Sequence, residues 1–310
     1  QKVAVHVRAG KDNIEGTLQL NAPKGWVVSS PQLFTLERQG ETSTLWFTVT
    51  PPKNQSQGYL RPLIQIGDTY YDKELINIDY DHIPYQSVLL PSKAKVVRIN
   101  IEKKGQHIGY IQGAGDGVGQ SLEQIGYSVT NLDVTEISAQ SLKKYDAVVV
   151  GVRAYNTIAA LAFAQKELNK YVQAGGTMVV QYNTSHRLVT KQVAPYALSL
   201  SRDRVTDEFA PVTILDPSHS VLNSPNKITQ EDFKGWVQER GLYFPNKWAE
   251  EFTPILAMND KGAPQTKGSL LVARYGKGHY VYTGLSFFRE LPAGVAGAYR
   301  LFANIISVGK

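Results

Sequence analysis

Two short polar segments stand where this chain could do recognition chemistry. Arg153, Tyr155 and Asn156 follow the apolar run Ala147-Val148-Val149-Val150, and Gln181, Tyr182 and Asn183 follow Thr177-Met178-Val179-Val180. A guanidinium fork binds carboxylates at two points, while amides and phenols pair with hydroxyls. These residue types therefore suit a hydroxyl-rich or carboxylate-bearing ligand. Arg202, Trp236, Glu239, Arg240, Arg289 and Glu290 extend the set. Trp236 could stack on a sugar face or fill a core, since aromatic rings do both. Arg153 or Arg240 could equally pair with Glu239 or Glu290 and simply hold loops.

Other constellations fall short of a reaction. The chain has no cysteine, which removes thiolate nucleophiles, disulfides and cysteine-bound zinc together. Its 6 histidines show no paired metal spacing. Ser185, Asp216 and His279 occur in a hydrolase-like order, but no Gly-x-Ser-x-Gly elbow surrounds Ser185. Gly113-x-Gly115 with a later Asp133 imitates a dinucleotide fingerprint, but position 118, where the frame needs its third glycine, is Val, and the glycine stands one place late at 119. Asp79-Tyr80-Asp81-His82 lacks the frame of a calcium loop. Glu239-Arg240, Glu250-Glu251 and Arg289-Glu290 could supply a carboxylate pair for glycoside chemistry, although adjacent opposite charges are usually ion pairs.

Positioning these groups requires two kinds of fold. Residues 1 to about 85 read as short alternating strands separated by turn residues, which argues for an immunoglobulin-like β-sandwich. Trp26 and Trp46 could make a sugar platform there, but core packing is the commoner use of such rings. Asp81-His82-Ile83-Pro84-Tyr85 reads as a linker stiffened by Pro84 and Pro91. From residue 95 strands alternate with helices, the signature of a parallel sheet. Val96–Ile99 is expected to lead into it, Leu161 to Ala174 to form an amphipathic helix, and residues 295–307 to close the domain. Leu270–Arg274 and His279–Thr283 flank Tyr275-Gly276-Lys277-Gly278 as a hairpin-like pair. In open α/β sheets, ligands sit beyond the carboxyl ends of the strands, where the two polar segments fall.

Charge and hydropathy narrow the classes. The net charge is +6, and residues 1–90 hold 8 basic and 9 acidic side chains against 25 and 18 in the remainder. The excess is scattered, so a solvated surface is expected rather than a nucleic-acid interface. No run approaches the roughly 20 apolar residues of a membrane span.

Tyr275-Gly276-Lys277-Gly278-His279-Tyr280-Val281-Tyr282-Thr283-Gly284-Leu285 resembles the Gly-Lys-Gly segment of ThuA-like members of the class I glutamine amidotransferase-like superfamily. These members are linked with sugar metabolism. In working amidotransferases the strand corresponding to Met178-Val179-Val180 leads into a glycine-flanked cysteine; here Gln181-Tyr182-Asn183 stands there. A longer resemblance rests on Tyr80-Asp81-His82-Ile83-Pro84-Tyr85, Gly151–Asn156, Gly235–Gly241 and Thr283–Pro292. These segments are similar to the C-terminal region of bacterial PIG-L/LmbE-type N-deacetylase family proteins, typical of Bacteroidetes. That family's zinc motif begins His-Pro-Asp-Asp and does not occur here. The resemblance thus implies an accessory region, a deacetylase domain elsewhere in the parent chain, an internal cut at Gln1, and a periplasmic or extracellular location.

The expectations are an immunoglobulin-like β-sandwich over 1–88 and a flavodoxin-like, amidotransferase-like open parallel sheet over 89–310. A glycan or small polar ligand is expected at the strand ends, with no cofactor, no metal and no nucleic acid. A sugar-processing hydrolase using a carboxylate and a purely structural interdomain or oligomerisation module are the alternatives.

Overall fold

The computed structural model describes residues 1–310, which contacts divide into Gln1–Asn100 and Ile101–Lys310. The first unit contains β1 (Lys2–Arg8), β2 (Ile14–Asn21), β3 (Val27–Val28), β4 (Gln32–Leu36), β5 (Thr42–Thr50), β6 (Ser56–Ile66), β7 (Thr69–Tyr71), β8 (Lys73–Ile78), β9 (Gln86–Pro91) and β10 (Ala94–Arg98). A three-stranded sheet, β1-β5-β3, and a five-stranded sheet with the path β10-β6-β2-β4 are antiparallel throughout. Alternation assigns the faces. Val7, Leu18, Leu20, Phe34, Leu36, Phe47, Val49 and Leu60 form one buried cluster drawn from both sheets, so the unit is a β-sandwich.

Two sequence expectations change here. Strands β8 and β9 pair as an antiparallel ribbon, so the segment read as a linker, Asp81–Tyr85, is the connection of a hairpin. Strand β10 pairs with β6, so Val96–Arg98 belongs to the sandwich rather than to the following sheet. The division at 88/89 therefore falls inside β9, and the boundary lies at 100/101. Of the prolines that suggested an exit, Pro84 lies in the hairpin connection and Pro91 ends the exposed strand β9, places where a missing N–H costs little.

The second unit contains β11 (His107–Ile111), α1 (Val118–Gln124), β12 (Ser128–Asn131), α2 (Ala139–Leu142), β13 (Ala147–Val150), α3 (Ala154–Thr157), α4 (Leu161–Gln173) and β14 (Thr177–Gln181). There follow β15 (Leu198–Val205), β16 (Val212–Ile214), β17 (Gly241–Trp248), β18 (Phe252–Pro254), β19 (Leu256–Met258), β20 (Leu270–Tyr275), β21 (Gly278–Thr283), α5 (Phe287–Glu290) and α6 (Ala296–Ile306). The main sheet has seven strands in the order β12-β11-β13-β14-β21-β20-β18. Strands β12, β11, β13, β14 and β21 run parallel, while β20 pairs antiparallel with both β21 and β18. The expected parallel sheet is thus mixed, because β20 and β21 form a tight hairpin. Within the parallel part the strand order reverses between β11 and β13, the flavodoxin-like arrangement.

Every residue of β13 and β14 is buried, which explains their unbroken apolar runs. Leu161, Ala164, Leu168, Tyr171 and Val172 recur on one face of α4 and are buried. Between β14 and β20 the chain builds two small ribbons, β15–β17 and β16–β19. Gly241 lets β17 run against the end of β21, since a Cβ there would lie 2.3 Å from the Gly284 carbonyl. Leu242 N–H donates to that carbonyl at 2.9 Å.

Candidate functional site

The carboxyl edge of the sheet first offers the crevice between β11 and β13, where the strand order reverses and ligands usually enter. It is bonded shut. Ala114 N–H donates to the Val152 carbonyl at 2.8 Å, and Val152 N–H donates to Asp116 Oδ2 at 3.1 Å. Asp116 Oδ1 accepts from Tyr110 Oη at 2.5 Å and from Val118 N–H at 3.0 Å. A Cβ on Gly113 would lie 2.1 Å from the Val152 carbonyl, so the glycine serves loop-to-loop packing. A carboxylate therefore holds the first N–H of α1, where a dinucleotide fingerprint would need a phosphate.

The next strand ends, after β13, β14 and β21, gather a different group. Tyr182 is buried and stacks on the half-buried Tyr243 with ring centroids 6.0 Å apart and an interplanar angle of 9°. Phe288 tilts against the same ring at 5.3 Å. Arg153 N–H donates to the Tyr182 carbonyl at 2.9 Å, so the arginine is fixed beside that residue. Its backbone is left-handed (φ 57°) and its side chain exposed. No carboxylate pairs with it. Arg289 lies over the Phe288 ring at 4.8 Å and donates from Nε to Glu239 Oε1 at 2.8 Å. Burial pushes the Tyr182 phenol up from its ordinary value, and the positive charges of Arg153 and Arg289 partly oppose that. Gln238 (φ 70°) and Tyr243 (φ 53°) are also left-handed, and strained backbone of this kind concentrates at functional sites.

Several residues expected to line the site are instead part of its frame. Tyr155 is fully buried, with its hydroxyl on Gln165 Oε1 at 2.5 Å. Asn183 is also fully buried: its Oδ1 accepts from Tyr155 N–H and its Nδ2 donates to the Gln181 carbonyl, both at 2.9 Å. Asn156 ties the two loops by accepting from Thr184 N–H at 2.9 Å and donating to the His186 carbonyl at 3.0 Å. Trp236 is core, donating to the Asp232 carbonyl at 2.9 Å and packing against Phe233 and Phe287. Arg240 is buried and spends its guanidinium on the carbonyls of Ala210 and Phe233. Arg202 is exposed on β15, outside the contacts that define this group. Gln181 is buried; its Nε2 donates to Tyr110 Oη at 3.2 Å, and its Oε1 has no partner.

The two carboxylates differ in kind. Glu239 is committed to Arg289. Glu290 is fully buried and accepts from Val237 N–H at 2.9 Å, and burial pushes its pKa up to about 8 against the opposing pull of that N–H and of Arg240. The serine, aspartate and histidine do not converge. His279 is level with Thr177 at the amino end of β14, while Ser185 lies past its carboxyl end. Among all residues, no cluster of three or more histidine, aspartate and glutamate side chains could hold a metal ion. No helix is long and apolar enough to cross a membrane.

Sequence reading missed Tyr243 and Asp116. Asp116 carried a usable signal, because an Asp two residues before a helix start commonly bonds the first free N–H groups. Tyr243 carried none, since its strand has an irregular register with β15.

Comparison with known proteins finds no matching family model and no matching curated protein. The region read as similar to the deacetylase family therefore rests on its sequence motifs alone. Solved structures with a similar chain path include a GMP synthase-type protein from Thermoplasma acidophilum, at 12% identity, covering 66% of this chain and 96% of that one, TM-score 0.43. A cytoplasmic protein from Salmonella typhimurium LT2 is 13% identical over 77% of this chain and 96% of its own, TM-score 0.43. A ThuA-like protein from Bacteroides uniformis is 12% identical over 65% of this chain and 89% of its own, TM-score 0.43.

Proposed function

We propose that residues 101–310 form a non-catalytic module that holds a glycan or a related polar ligand at the partly exposed rings of Tyr243 and Phe288, which the buried Tyr182 backs. The observation that carries this reading is the exposed, unpaired guanidinium of Arg153 beside a stacked tyrosine pair. An apolar ring face and a free fork of donors complement a sugar, which presents C–H groups on one side and hydroxyl or carboxyl oxygens at its rim. Arg289 and Glu239 supply further donors and acceptors at the edge of the rings. No cysteine stands at the end of β14, where Gln181 and Asn183 are bonded into the frame. The motif resemblance supports placing this module in the accessory region of a carbohydrate N-deacetylase-type protein, exported to the periplasm or cell exterior. On the same reading the sandwich is an immunoglobulin-like spacer.

One observation favours the hydrolase alternative. A carboxyl group with a pKa near 8 is protonated at neutral pH and has the state of a general acid. Against it, Glu290 is fully buried, and the only other acid beside it, Glu239, is held by Arg289. A glycosidase needs both acids free on an open cleft.

Calorimetric titration with amino-sugar and neutral oligosaccharides tests the proposal, using the wild type and an Arg153→Ala, Tyr182→Ala double variant. Saturable binding lost in the variant is the expected outcome. Absence of binding to any glycan refutes it.

A further inference from the structure

The outer face of the β1-β5-β3 sheet carries a feature that the strand-end site leaves unused. Trp46 is 57% exposed, although large rings on a sandwich usually turn inward. Its placement follows from parity. Phe47 and Val49 point into the core, so Trp46 shares the outer face with Thr44 and Thr48. The antiparallel register sets Ala4 directly across from Trp46, and a methyl group leaves the flank of the indole uncovered. His6 lies opposite Thr44, and their side chains hydrogen-bond at 2.9 Å in the open. Trp26, by contrast, packs against the core and donates to Ser56 Oγ at 3.1 Å. The two tryptophans do not form one platform.

The charges on this face have one sign. Lys2 pairs with Thr48 and Arg8 with Thr42 on the same outward parity, and both are exposed. Neither forms an ion pair. Glu41, at the head of β5, is turned away, accepting from the N–H groups of Glu37 and Arg38 at 2.8 and 3.1 Å. The strand therefore presents a cation at each end, roughly 20 Å apart at the rise of an extended chain, with the indole between them.

We propose that this face is a separate saccharide site that takes an anionic oligosaccharide. One sugar ring stacks on Trp46, and acidic groups further along the same chain meet Lys2 and Arg8. The ring supplies an apolar surface of pyranose size, threonine hydroxyls line its edges, and the flanking cations match acidic groups spaced along a polymer. A nucleic-acid strand would need successive aromatic rings for successive bases, and this face offers a single one. The site lies wholly within residues 1–100 and does not depend on the strand-end reading.

The experiment titrates the full chain with hexagalacturonate, with cellohexaose, and with a single-stranded DNA hexamer, at low and moderate salt. The variants are Trp46→Ala, Lys2→Ala with Arg8→Ala, and Lys166→Ala, an exposed cation on α4 outside both sites, as the control. Trp46, Lys2 and Arg8 are all exposed, so unchanged thermal unfolding checks that the variants fold. Hexagalacturonate is expected to bind with an affinity that falls with salt. Trp46→Ala is expected to weaken it by about tenfold or more, the scale of a single lost stacking contact. The double charge variant is expected to weaken it and flatten the salt dependence, and Lys166→Ala to leave it unchanged. Equal binding by Trp46→Ala and wild type, no saturable binding of hexagalacturonate, or tighter binding of DNA would each overturn the proposal.

Discussion

Two neighbouring stretches of one sheet edge, beyond β11–β13 and beyond β14–β21, are built from similar residue types and put to opposite uses. At the first, Asp116 draws together Tyr110, Val118 and Val152, and the loops close on each other. At the second, an exposed arginine stands beside two stacked tyrosines and a phenylalanine, and Arg153 is left without a carboxylate. The difference lies in where the acids fall. An acid that reaches backbone N–H groups seals a crevice, whereas an acid consumed by a neighbouring cation, as Glu239 is by Arg289, leaves the other cation free. A usual ligand entrance has thus been given to structure, and on the proposed reading the adjacent edge keeps the recognition chemistry.

The contrast can be broken most forcefully at Asp116. Asp116→Ala strands two backbone donors and a buried phenol, and a loss of about 4 kcal/mol in chemical denaturation is expected. A loss below about 1 kcal/mol would mean that the crevice is not held by this carboxylate. Glu290 gives the next effect. Between pH 4.5 and about 8 the folded chain keeps a proton that the unfolded chain has released. Stability is therefore fullest below that window and falls as pH rises through it, by several kcal/mol at about 1.4 kcal/mol per pH unit. Denaturation curves across this range should be flatter for Glu290→Gln; an identical slope would contradict the assignment. Tyr182→Ala should cost glycan affinity on the order of 2 kcal/mol while the chain stays folded, as titration alongside circular dichroism would reveal. Arg153→Gly is the smallest and sharpest test. Relief of a left-handed non-glycine backbone should raise stability by about 0.5–1 kcal/mol while ligand binding is lost. A variant that gained stability and kept its affinity would remove Arg153 from the site.

Much of this architecture was legible because burial writes a simple pattern. Strands β13 and β14 are buried on both faces and read as unbroken apolar runs, and α4 repeats its buried residues at helical spacing. The strand-end location followed from that. The division of labour among the strand-end residues did not, because Tyr155 and Tyr182 are the same residue type, both buried, and only packing bonds one to Gln165 and stacks the other on Tyr243. Tyr243 arrives on a bulged ribbon with no clean alternation, so nothing local marked it. The turn of the β8–β9 hairpin, Asp81–Tyr85, reads as a linker because Pro84 and Pro91 outweigh the pairing on either side of it. Trp46 is the opposite case. The alternation of Leu45, Phe47 and Val49 already put it on the outer face, and only the habit of aromatic rings argued otherwise.

Binding without turnover is the heart of the account, and a single proton NMR time course reads both. The chain is mixed with chitotetraose and with its partly deacetylated form, and the sugar and tyrosine signals are followed together. The account predicts saturable shifts of the tyrosine signals that vanish in Tyr182→Ala, with the sugar resonances unchanged over time. New reducing-end or acetate signals that disappear in Glu290→Gln would contradict it and make the strand-end group an active site.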